Sequence, residues 1–436
     1  MRTPTRSQPL STLLTTLVIV GAVALNVHAS LDVPEPPMML TMSRPQVILV
    51  ADDRYIPHYT PPPRQAELGI QTATFSVNWN PATCTGTVTA WPQAAKDAFQ
   101  YALDIWRSLL DSSQTIVVDA CWRSDLGSGI LGSAGATTFH RNFTNAPFTN
   151  TWFPVALANA VAQADLNEDT AEIQANFNST FNWYYGTDGN TPGDKYDFAS
   201  VVLHEVGHGL GFLGFADVSY GTGYLGYSGY PAVYDRFTED GNGTPLLNYT
   251  NPSTALGNAL TGQVDGVYFD GPYANAANTD NGQNPVKLYT PSSWNVGSSY
   301  SHLDEIFNGT ANSLMTYSLG YGQAEHNPGP VTLGMFRDMG WTLASVTPAP
   351  TVTSITPNSG ENTGVVNITN LAGSDFQNGA TVKLIKSGQS DINGTNVTVV
   401  SDSQITCDFD LSGAAIGQWD VVVANPDAQS GTLPNG

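Results

Sequence analysis

The spacing of hydrophobic and polar residues predicts several secondary-structure elements in the first part of the chain. Residues 73–80 (ATFSVNWN) alternate between apolar and polar side chains, which predicts a β-strand. Residues 93–113 repeat apolar side chains such as Phe99 and Trp106 at helical intervals, which predicts an amphipathic helix. Residues 114–122 (QTIVVDACW) contain a nearly continuous apolar run, which is typical of a buried strand.

A second group of elements follows and begins with a more polar strand candidate at residues 171–178 (AEIQANFN). We expect this segment to be either an edge strand that pairs with an extended peptide or an ordinary strand of the sheet. The next helix is predicted to begin after Asp197, a good N-cap, and to end at Gly211. Residues 218–300 are rich in Gly, Asn and Tyr and predict a loop-rich subdomain, whereas residues 331–341 predict a short amphipathic helix.

The pattern changes after residue 346, where a Pro- and Thr-rich hinge is followed by short apolar strands separated by turns. This change predicts an all-β sandwich over residues 347–436. Residues 30–64 are rich in proline and predict an extended linker or a pro-segment, which contains no cysteine. We expect the residues between, 65–346, to form an α+β domain with a twisted mixed sheet, the helix that follows Asp197 and a loop-rich C-terminal subdomain.

The N-terminus has the three parts of a secretory signal. Arg2 and Arg6 precede an apolar run at residues 13–25, and small residues follow up to Ala29. An uncleaved membrane anchor is the alternative, but the run is shorter than the roughly 20 residues that span a bilayer. We therefore expect residues 1–29 to be a signal peptide. The mature protein would be secreted or held at the cell surface, with no membrane span after cleavage.

The amino-acid composition and the net charge exclude two classes of binding partner. Only 12% of the residues are charged, and the net charge is −22. A surface this acidic repels nucleic acids and anionic membranes, so we expect neither as a partner. Three cysteines fit an exported chain: Cys84 and Cys121 could form a disulfide in an oxidising compartment, and Cys407 would be left over.

Candidate chemistry is concentrated in residues 200–217 (SVVLHEVGHGLGFLGFAD). On a helix, His204 and His208 lie one turn apart on the same face and can bind one metal ion. Glu205 is rotated away from the ligands and can act as general base toward water that a catalytic zinc activates. The alternative is a helix with two ordinary core histidines. Burying all three groups on a glycine-weakened helix without a compensating role would cost free energy.

A catalytic zinc needs a third protein ligand, and the residues alone leave several candidates. Two histidines follow the motif, His302 and His326. Asp235 and Glu239 are carboxylate alternatives, and so is Asp217, which lies shortly after the helix in the sequence. We favour a histidine over a carboxylate at this position.

Four segments together resemble the leishmanolysin-type metalloproteases: HEVGHGLGF, the later SHLDE and NSLMTY, and PGPVTLGMFRDMGW. In that family, the third zinc histidine follows a long insertion and precedes a methionine-bearing turn beneath the metal. The resemblance implies that His204, His208 and His302 bind zinc. It also implies that Glu205 is the catalytic base and that Met315 is the turn methionine.

This resemblance covers about residues 200–341 and implies a zincin-like fold and an exported zinc endopeptidase that cleaves polypeptides. His302 is favoured over His326 because His326 lies beyond Met315. The more common metzincin pattern has its third ligand at the position of Gly214, so the chain departs from that pattern. The dense cysteine framework of the protozoan members is also absent, which leaves the substrate preference open.

The C-terminal segment resembles the immunoglobulin-like TIG/IPT domains in its stretches PTVTSITPNSG, SDFQNGATVKL and WDVVVANPD. The resemblance implies a role in spacing, attachment or substrate binding, and a cell-surface or matrix ligand is the partner that we expect for it. A rival function is therefore a cell-surface adhesion protein with an inactive or structural zincin domain. The intact Glu205 argues against it, and a non-peptide metallohydrolase is a third hypothesis.

Two weaker signals concern calcium and the oxyanion. Asp188, Asp194 and Asp197 in a turn-rich loop could hold Ca²⁺, as could residues 164–172, but we favour turn and cap roles for these carboxylates. Tyr317 could donate a hydrogen bond to a developing oxyanion, although an ordinary surface tyrosine is the favoured alternative.

Overall fold

The computed structural model describes most of the chain, namely residues 37–41, 47–67, 69, 71–168, 170–279, 284–344, 349–426 and 429–436. The predicted signal peptide and the hinge residues 345–348 lie outside the described residues. Within the described residues, no helix has the length and apolar character needed to cross a membrane.

The described chain up to residue 344 contains seven α-helices and sixteen strands. The helices are α1 Arg64–Glu67, α2 Gln93–Leu109, α3 Val155–Ala162, α4 Phe198–Leu210, α5 Thr254–Leu260, α6 Pro272–Ala277 and α7 Gly329–Met339. The strands are β1 Met38–Thr41, β2 Val47–Thr60, β3 Thr74–Trp79, β4 Thr115–Arg123, β5 Ile130–Ala136, β6 Thr138–Arg141, β7 Phe153–Pro154, β8 Ile173–Asn178, β9 Trp183–Tyr184, β10 Tyr196–Asp197, β11 Ala216–Ser219, β12 Thr222–Leu225, β13 Thr238–Asp240, β14 Val267–Phe269, β15 Val286–Leu288 and β16 Ser318–Glu325.

A six-stranded mixed sheet in the order β16-β2-β5-β8-β4-β3 is the main scaffold of this part. Strands β3, β4 and β8 run parallel, and β5 runs antiparallel to both of its neighbours. Helices α2 and α4 pack together beside the sheet, where the indole nitrogen of Trp106 donates a hydrogen bond to the carbonyl of Leu203 at 3.0 Å. This mixture of sheet and helices confirms the predicted α+β class.

The amphipathic segments predicted from spacing match the observed elements closely. Helix α2 covers most of residues 93–113, and strands β3 and β4 cover the two predicted strands on either side of it. Phe99 and Trp106 are completely buried, because the apolar stripe of α2 faces the core. Between residues 218 and 300, the described elements are short, as the composition of that segment predicts.

Strand β8 settles the two alternatives for residues 171–178. It pairs with β5 on one side and with β4 on the other, so it lies inside the sheet. An interior strand has no free edge to offer a peptide. The edge-strand alternative is therefore wrong, and the ordinary-strand alternative is right.

Residues 47–60 correct the prediction for the Pro-rich segment 30–64. They form the 14-residue strand β2, which is antiparallel to β5 and parallel to β16. A strand with neighbours on both sides belongs to the sheet, so the extended-linker interpretation is wrong for these residues. Pro57 is compatible with β2 because this half of the strand has a ladder partner, β16, on one side only.

Residues 351–433 form an all-β unit, as predicted. Its strands are β17 Thr351–Thr356, β18 Val365–Ser374, β19 Thr381–Ile385, β20 Ile392–Asn393, β21 Thr395–Ser401, β22 Gln404–Asp410, β23 Asp420–Ala424 and β24 Ser430–Leu433. They form two four-stranded sheets, β17-β18-β22-β21 and β20-β19-β23-β24. One apolar cluster takes side chains from both sheets, such as Ile405 and Val423, so the sheets share a single core.

The cysteines pair as predicted. Cys84, in the loop after β3, forms a disulfide with Cys121 in β4, and their Cα atoms are 5.6 Å apart. Cys407 lies buried on β22 as a free thiol. The disulfide ties the loop at the sheet edge to a strand of the interior.

Removing this disulfide should destabilise the protein. The bond joins residues 37 positions apart, and closing a loop of that length reduces the entropy of the unfolded chain by an amount equivalent to about 4 kcal/mol. We expect the double variant Cys84→Ser/Cys121→Ser to unfold at a lower denaturant concentration than the wild type. Equal denaturation midpoints for the variant and the oxidised wild type would show that the bond contributes no stability.

Candidate metal centre

Helix α4 carries the motif and is buried along its whole length. It begins after Asp197, whose carboxylate accepts a hydrogen bond from the amide of Ser200 at 2.8 Å, as expected for an N-cap. It ends at Gly211, which has φ of 124°, a conformation that glycine adopts readily. Both predicted ends of the helix are therefore confirmed.

Three histidine side chains converge beside α4. The Nε2 atom of His208 lies 2.9 Å from that of His204 and 3.2 Å from that of His302, and the remaining pair is 3.3 Å apart. In the described part of the chain, these residues form the only group of three His, Cys, Asp or Glu side chains close enough to share one ion. The long segment between His208 and His302 thus returns to the helix.

The opposite nitrogen of each ring determines the tautomer. Nδ1 of His204 contacts the carbonyl oxygen of Leu314 at 2.6 Å, and Nδ1 of His208 contacts that of Phe212 at 2.7 Å. Nδ1 of His302 contacts the carbonyl oxygen of Ser298 at 2.7 Å. A carbonyl oxygen can only accept, so each Nδ1 must carry the proton and each Nε2 must present a lone pair.

The surroundings keep these rings neutral. Burial lowers the pKa of His204 to about 4. Burial, followed by the neighbouring histidines, lowers the pKa of His208 well below its usual value, and burial and His204 do the same for His302. Three neutral rings therefore direct lone pairs at one another with no proton between them.

A metal ion at the centre of the three rings would explain this arrangement. Ligand nitrogens about 2.0–2.1 Å from a tetrahedral zinc lie about 3.3 Å from one another. Two of the three measured Nε2 separations, 3.2 and 3.3 Å, match that value, and the third is shorter at 2.9 Å. Backbone carbonyls on the outer ring nitrogens are also the usual partners of metal-binding histidines. The residues fit a three-histidine metal site.

The turn at Ser313–Met315 supports two of the rings. The carbonyl of Leu314 orients His204, and the carbonyl of Met315 accepts a hydrogen bond from the amide of Leu303, next to His302, at 2.8 Å. The Met315 side chain packs against α4 at Gly207, where an added Cβ would lie 3.1 Å from the Met315 sulfur. The methionine turn therefore contacts both α4 and the segment that carries His302.

Glu205 is a buried carboxyl group that directly follows His204 in helix α4. It has no solvent exposure, and neither of its oxygens has a hydrogen-bond partner of normal geometry among the described residues. Burial raises its pKa well above the usual value, and the backbone of Leu49 opposes this shift only in part. A buried carboxylate without a partner is costly, so its position favours a cation or a reacting group nearby.

The alternative ligands lie elsewhere. Nε2 of His326 contacts the carboxylate of Asp197 at 2.9 Å, and its Nδ1 lies 3.2 Å from the hydroxyl of Tyr101. Asp235 accepts hydrogen bonds from the amides of Phe215 and Ala232 and from the hydroxyl of Tyr300, and Glu239 belongs to β13. None of these three candidates joins the histidine group.

The position of Gly214 has no room for a ligand. A Cβ there would lie 2.2 Å from a ring atom of Tyr300 and 2.5 Å from the carboxylate of Asp235. The usual metzincin position is therefore closed by packing in this chain. Gly214 lies shortly after α4. The segment after the helix therefore packs against Tyr300, which shortly precedes His302 in the chain.

The weaker candidates have local roles in the structure. Asp188 accepts hydrogen bonds from Tyr184 and Asn190, and Asp197 caps α4, so these two do not form a shared calcium group with Asp194 in the described residues. In the 164–172 segment, Asp165 accepts hydrogen bonds from nearby amides in a turn. Tyr317 is half-buried and stacks on Tyr289 with ring centroids 4.1 Å apart.

Sequence reasoning missed two features of this centre. The carbonyls of Leu314, Phe212 and Ser298 that orient the rings have no signal in sequence, since every residue carries a carbonyl. The contact of Leu49 with the Glu205 region was also missed, although the apolar run VILV at residues 47–50 could have indicated a buried strand.

Comparison with known proteins gives a partial match. A family model described as SPBPB7E8-like matches residues 158–222, which contain α4 with His204, Glu205 and His208 but not His302. No curated protein and no solved structure matches the chain. The matched segment is a small part of the 436 residues, so it assigns neither a family nor an activity.

The histidine geometry predicts which variants lose the metal. We expect the wild type to bind one divalent transition-metal ion per chain, and His302→Gln to bind it at least a hundred-fold more weakly because one of three ligands is lost. His326→Gln is the matched control, because His326 is equally buried but lies outside the group. Metal content by elemental analysis and affinity by competition with a chelator measure the difference. Retention of metal by His302→Gln together with loss from His326→Gln would reverse the assignment.

Proposed function

We propose that the protein is a secreted zinc-dependent endopeptidase. The observation that carries this proposal is the convergence of three lone pairs, from His204, His208 and His302, together with a buried and unpartnered carboxyl group on α4, which carries two of these histidines. Three imidazole ligands suit Zn²⁺ and leave the fourth coordination position open, as catalytic zinc sites require. A structural zinc site is usually closed by four protein ligands, so the three-ligand set favours catalysis.

Each of the protein's own groups has a separate role in the proposed hydrolysis. When bound, zinc would act as a Lewis acid on a carbonyl oxygen and would lower the pKa of water. Glu205 accepts a proton from the attacking water and delivers it to the leaving amine nitrogen. The backbone carbonyls behind the three rings hold the imidazoles in the tautomer that can bind metal. The Met315 turn contacts α4 and hydrogen-bonds to the residue next to His302, so it holds the helix and the His302 segment together.

Substrate class and fold family rest on the leishmanolysin resemblance. The mixed sheet beside α4 and the methionine turn below it are compatible with a zincin-like domain. Export rests on the N-terminal signal pattern and is supported by the Cys84–Cys121 disulfide, which is typical of oxidising compartments. We assign the two-sheet C-terminal unit to the immunoglobulin-like TIG/IPT class, with a cell-surface or matrix ligand as its partner.

The rival function is adhesion by a protein whose metal centre is inactive. The Glu205 carboxyl favours the peptidase, because a centre that only stabilises the fold has no use for an unpartnered acid in its core. The two functions differ in one measurable respect, namely turnover of a peptide by the metal-loaded protein.

Glu205→Gln should abolish turnover without removing the metal. We expect peptide hydrolysis to fall by about 10²–10⁴-fold, because the amide cannot accept the proton, while zinc content stays at one per chain. Glu172→Gln is the matched control, since Glu172 is also buried but its carboxylate accepts a hydrogen bond from the amide of Val117 in β4. Cleavage of quenched fluorescent peptides and of casein measures turnover. Hydrolysis by Glu205→Gln at the wild-type rate would refute the mechanism, and a zinc-loaded protein with no turnover under any condition would favour adhesion.

A further inference from the structure

The proposed catalytic centre is sealed from solvent. His204 is 1% exposed, and Glu205, His208 and His302 have no exposure. A peptidase must admit a polypeptide to its metal, so whatever covers the centre in this structure must leave it during turnover. The covering element is therefore as important as the ligands.

The first four residues of β2, Val47–Val50, are the candidate for this covering element. Gly132 of β5 pairs with Leu49 of this segment and also contacts Glu205, because an added Cβ at Gly132 would lie 2.8 Å from a Glu205 carboxyl oxygen. The backbone of Leu49 acts on the same carboxyl group. Val47 and Leu49 are themselves buried, at 8% and 2% exposure. The segment thus passes directly beside the proposed base.

Both edges of this segment are hydrogen-bonded to walls of the centre. On one edge it pairs antiparallel with β5, with Val47 opposite Ala134. On the other edge, the amide of Ile48 donates to the carbonyl of Gly297 at 3.0 Å. The amide of Val50 donates to the carbonyl of Tyr317, also at 3.0 Å. Gly297 precedes the ligand His302 and Tyr317 follows the methionine turn, so the segment bridges the sheet and the metal-binding side.

A groove continues from the start of this segment. A cavity of about 730 Å³ is lined by Val47 and by residues 134–137, which begin at Ala134, the partner of Val47 in β5. Its other wall contains residues 213–217, which follow α4, and Ser301, which precedes His302. The walls that hold Val47–Val50 therefore extend further than the segment itself. A longer extended chain can lie in the same groove.

We propose that Val47–Val50 occupies the place of an extended polypeptide substrate and keeps the centre closed. The proposal rests on the endopeptidase function and deepens it. A substrate would add as a strand between β5 and the segment of Gly297 and Tyr317, using main-chain hydrogen bonds in the manner of β-augmentation. The protein is then latent until Val47–Val50 leaves, and this latency does not need a cysteine, which the segment lacks.

A β-bulge in β2 separates the closing segment from the rest of the strand. Asp52 pairs with Gly320 and Tyr55 with Tyr321, so Asp53 and Arg54 form a bulge without partners in the ladder. The Arg54 side chain is 73% exposed. Residues 55–60 pair with β16 beyond the bulge. Hydrolysis of the peptide bond after Arg54 by a trypsin-like protease would release Val47–Val50 and leave the rest of β2 in the sheet.

The first test is the full-length variant Leu49→Asp, loaded with zinc. A carboxylate at this buried position opposes its return to the core, so the segment should detach. We expect zinc to be released to an excess of chelator at least ten-fold faster than from the wild type, and peptide hydrolysis to rise at least ten-fold. Tyr55→Asp, on the same strand but 62% exposed and past the bulge, is the matched control and should behave as the wild type.

A second test does not depend on the folding of that variant. The recognition tetrapeptide of a site-specific protease, ending at Arg54, replaces residues 51–54 in the full-length chain, which folds intact and is then cut. The cut should produce the same increases in zinc release and hydrolysis. Adding back a synthetic peptide of residues 44–54 (RPQVILVADDR) should reverse them, whereas a scrambled peptide should not.

The two readouts separate the two proposals. Unchanged zinc release and unchanged hydrolysis after the cut, with the wild type already active, would overturn the latency proposal and leave the endopeptidase intact. Faster zinc release with no hydrolysis of any peptide would support closure by Val47–Val50 and overturn the peptidase function. Suppression of both increases by the added peptide would support closure by a substrate-like strand.

Discussion

The structure depends on one electrostatic constraint, the meeting of three neutral imidazole lone pairs in a core that excludes water. The Nε2 atoms of His204, His208 and His302 lie 2.9 to 3.3 Å apart, and each ring is fixed from behind by a backbone carbonyl. Without a cation this arrangement is repulsive, because no ring carries a proton on the inner side. Three separate turns supply those carbonyls, so the histidine group ties together parts of the chain that are far apart in sequence.

A second set of buried contacts holds the start of α4, the helix that carries two of these histidines. His326 is not a ligand, and instead its ring contacts Asp197, the residue that caps the helix. The amide of Glu325, at the end of β16, donates to the hydroxyl of Ser200 in the first turn of α4 at 2.7 Å. Strand β16 pairs in turn with the second half of β2. The two halves of β2 therefore have different surroundings: residues 55–60 pair with the strand that contacts α4, whereas Val47–Val50 lies beside Glu205 and closes the centre in our proposal.

Local signals predicted the elements whose causes are local. The N-cap at Asp197, the HExxH spacing and the apolar stripe of α2 all depend on residues within a few positions of one another, and the structure contains each of them. The return of His302 required the family resemblance, because no local pattern indicates a contact across 94 positions. The role of β2 was missed because its partner β16 lies more than 250 residues away. In addition, its charges and Pro57, together with the prolines on either side of the strand, resemble a linker when taken alone. Pairing across such distances has no periodic signature in sequence.

The position of Val47–Val50 has a thermodynamic consequence for how the centre opens. Along these four residues β5 has no other described partner on that side, so removing the segment exposes the free edge of a sheet. A substrate strand would restore similar hydrogen bonds, which makes the exchange nearly neutral in the backbone. The tethered segment nevertheless has the advantage, because a short covalent connection gives it an effective concentration on the order of millimolar. A free polypeptide at micromolar concentration competes poorly with such a neighbour. Cutting the chain at the Arg54 bulge abolishes that advantage without altering a single contact in the groove.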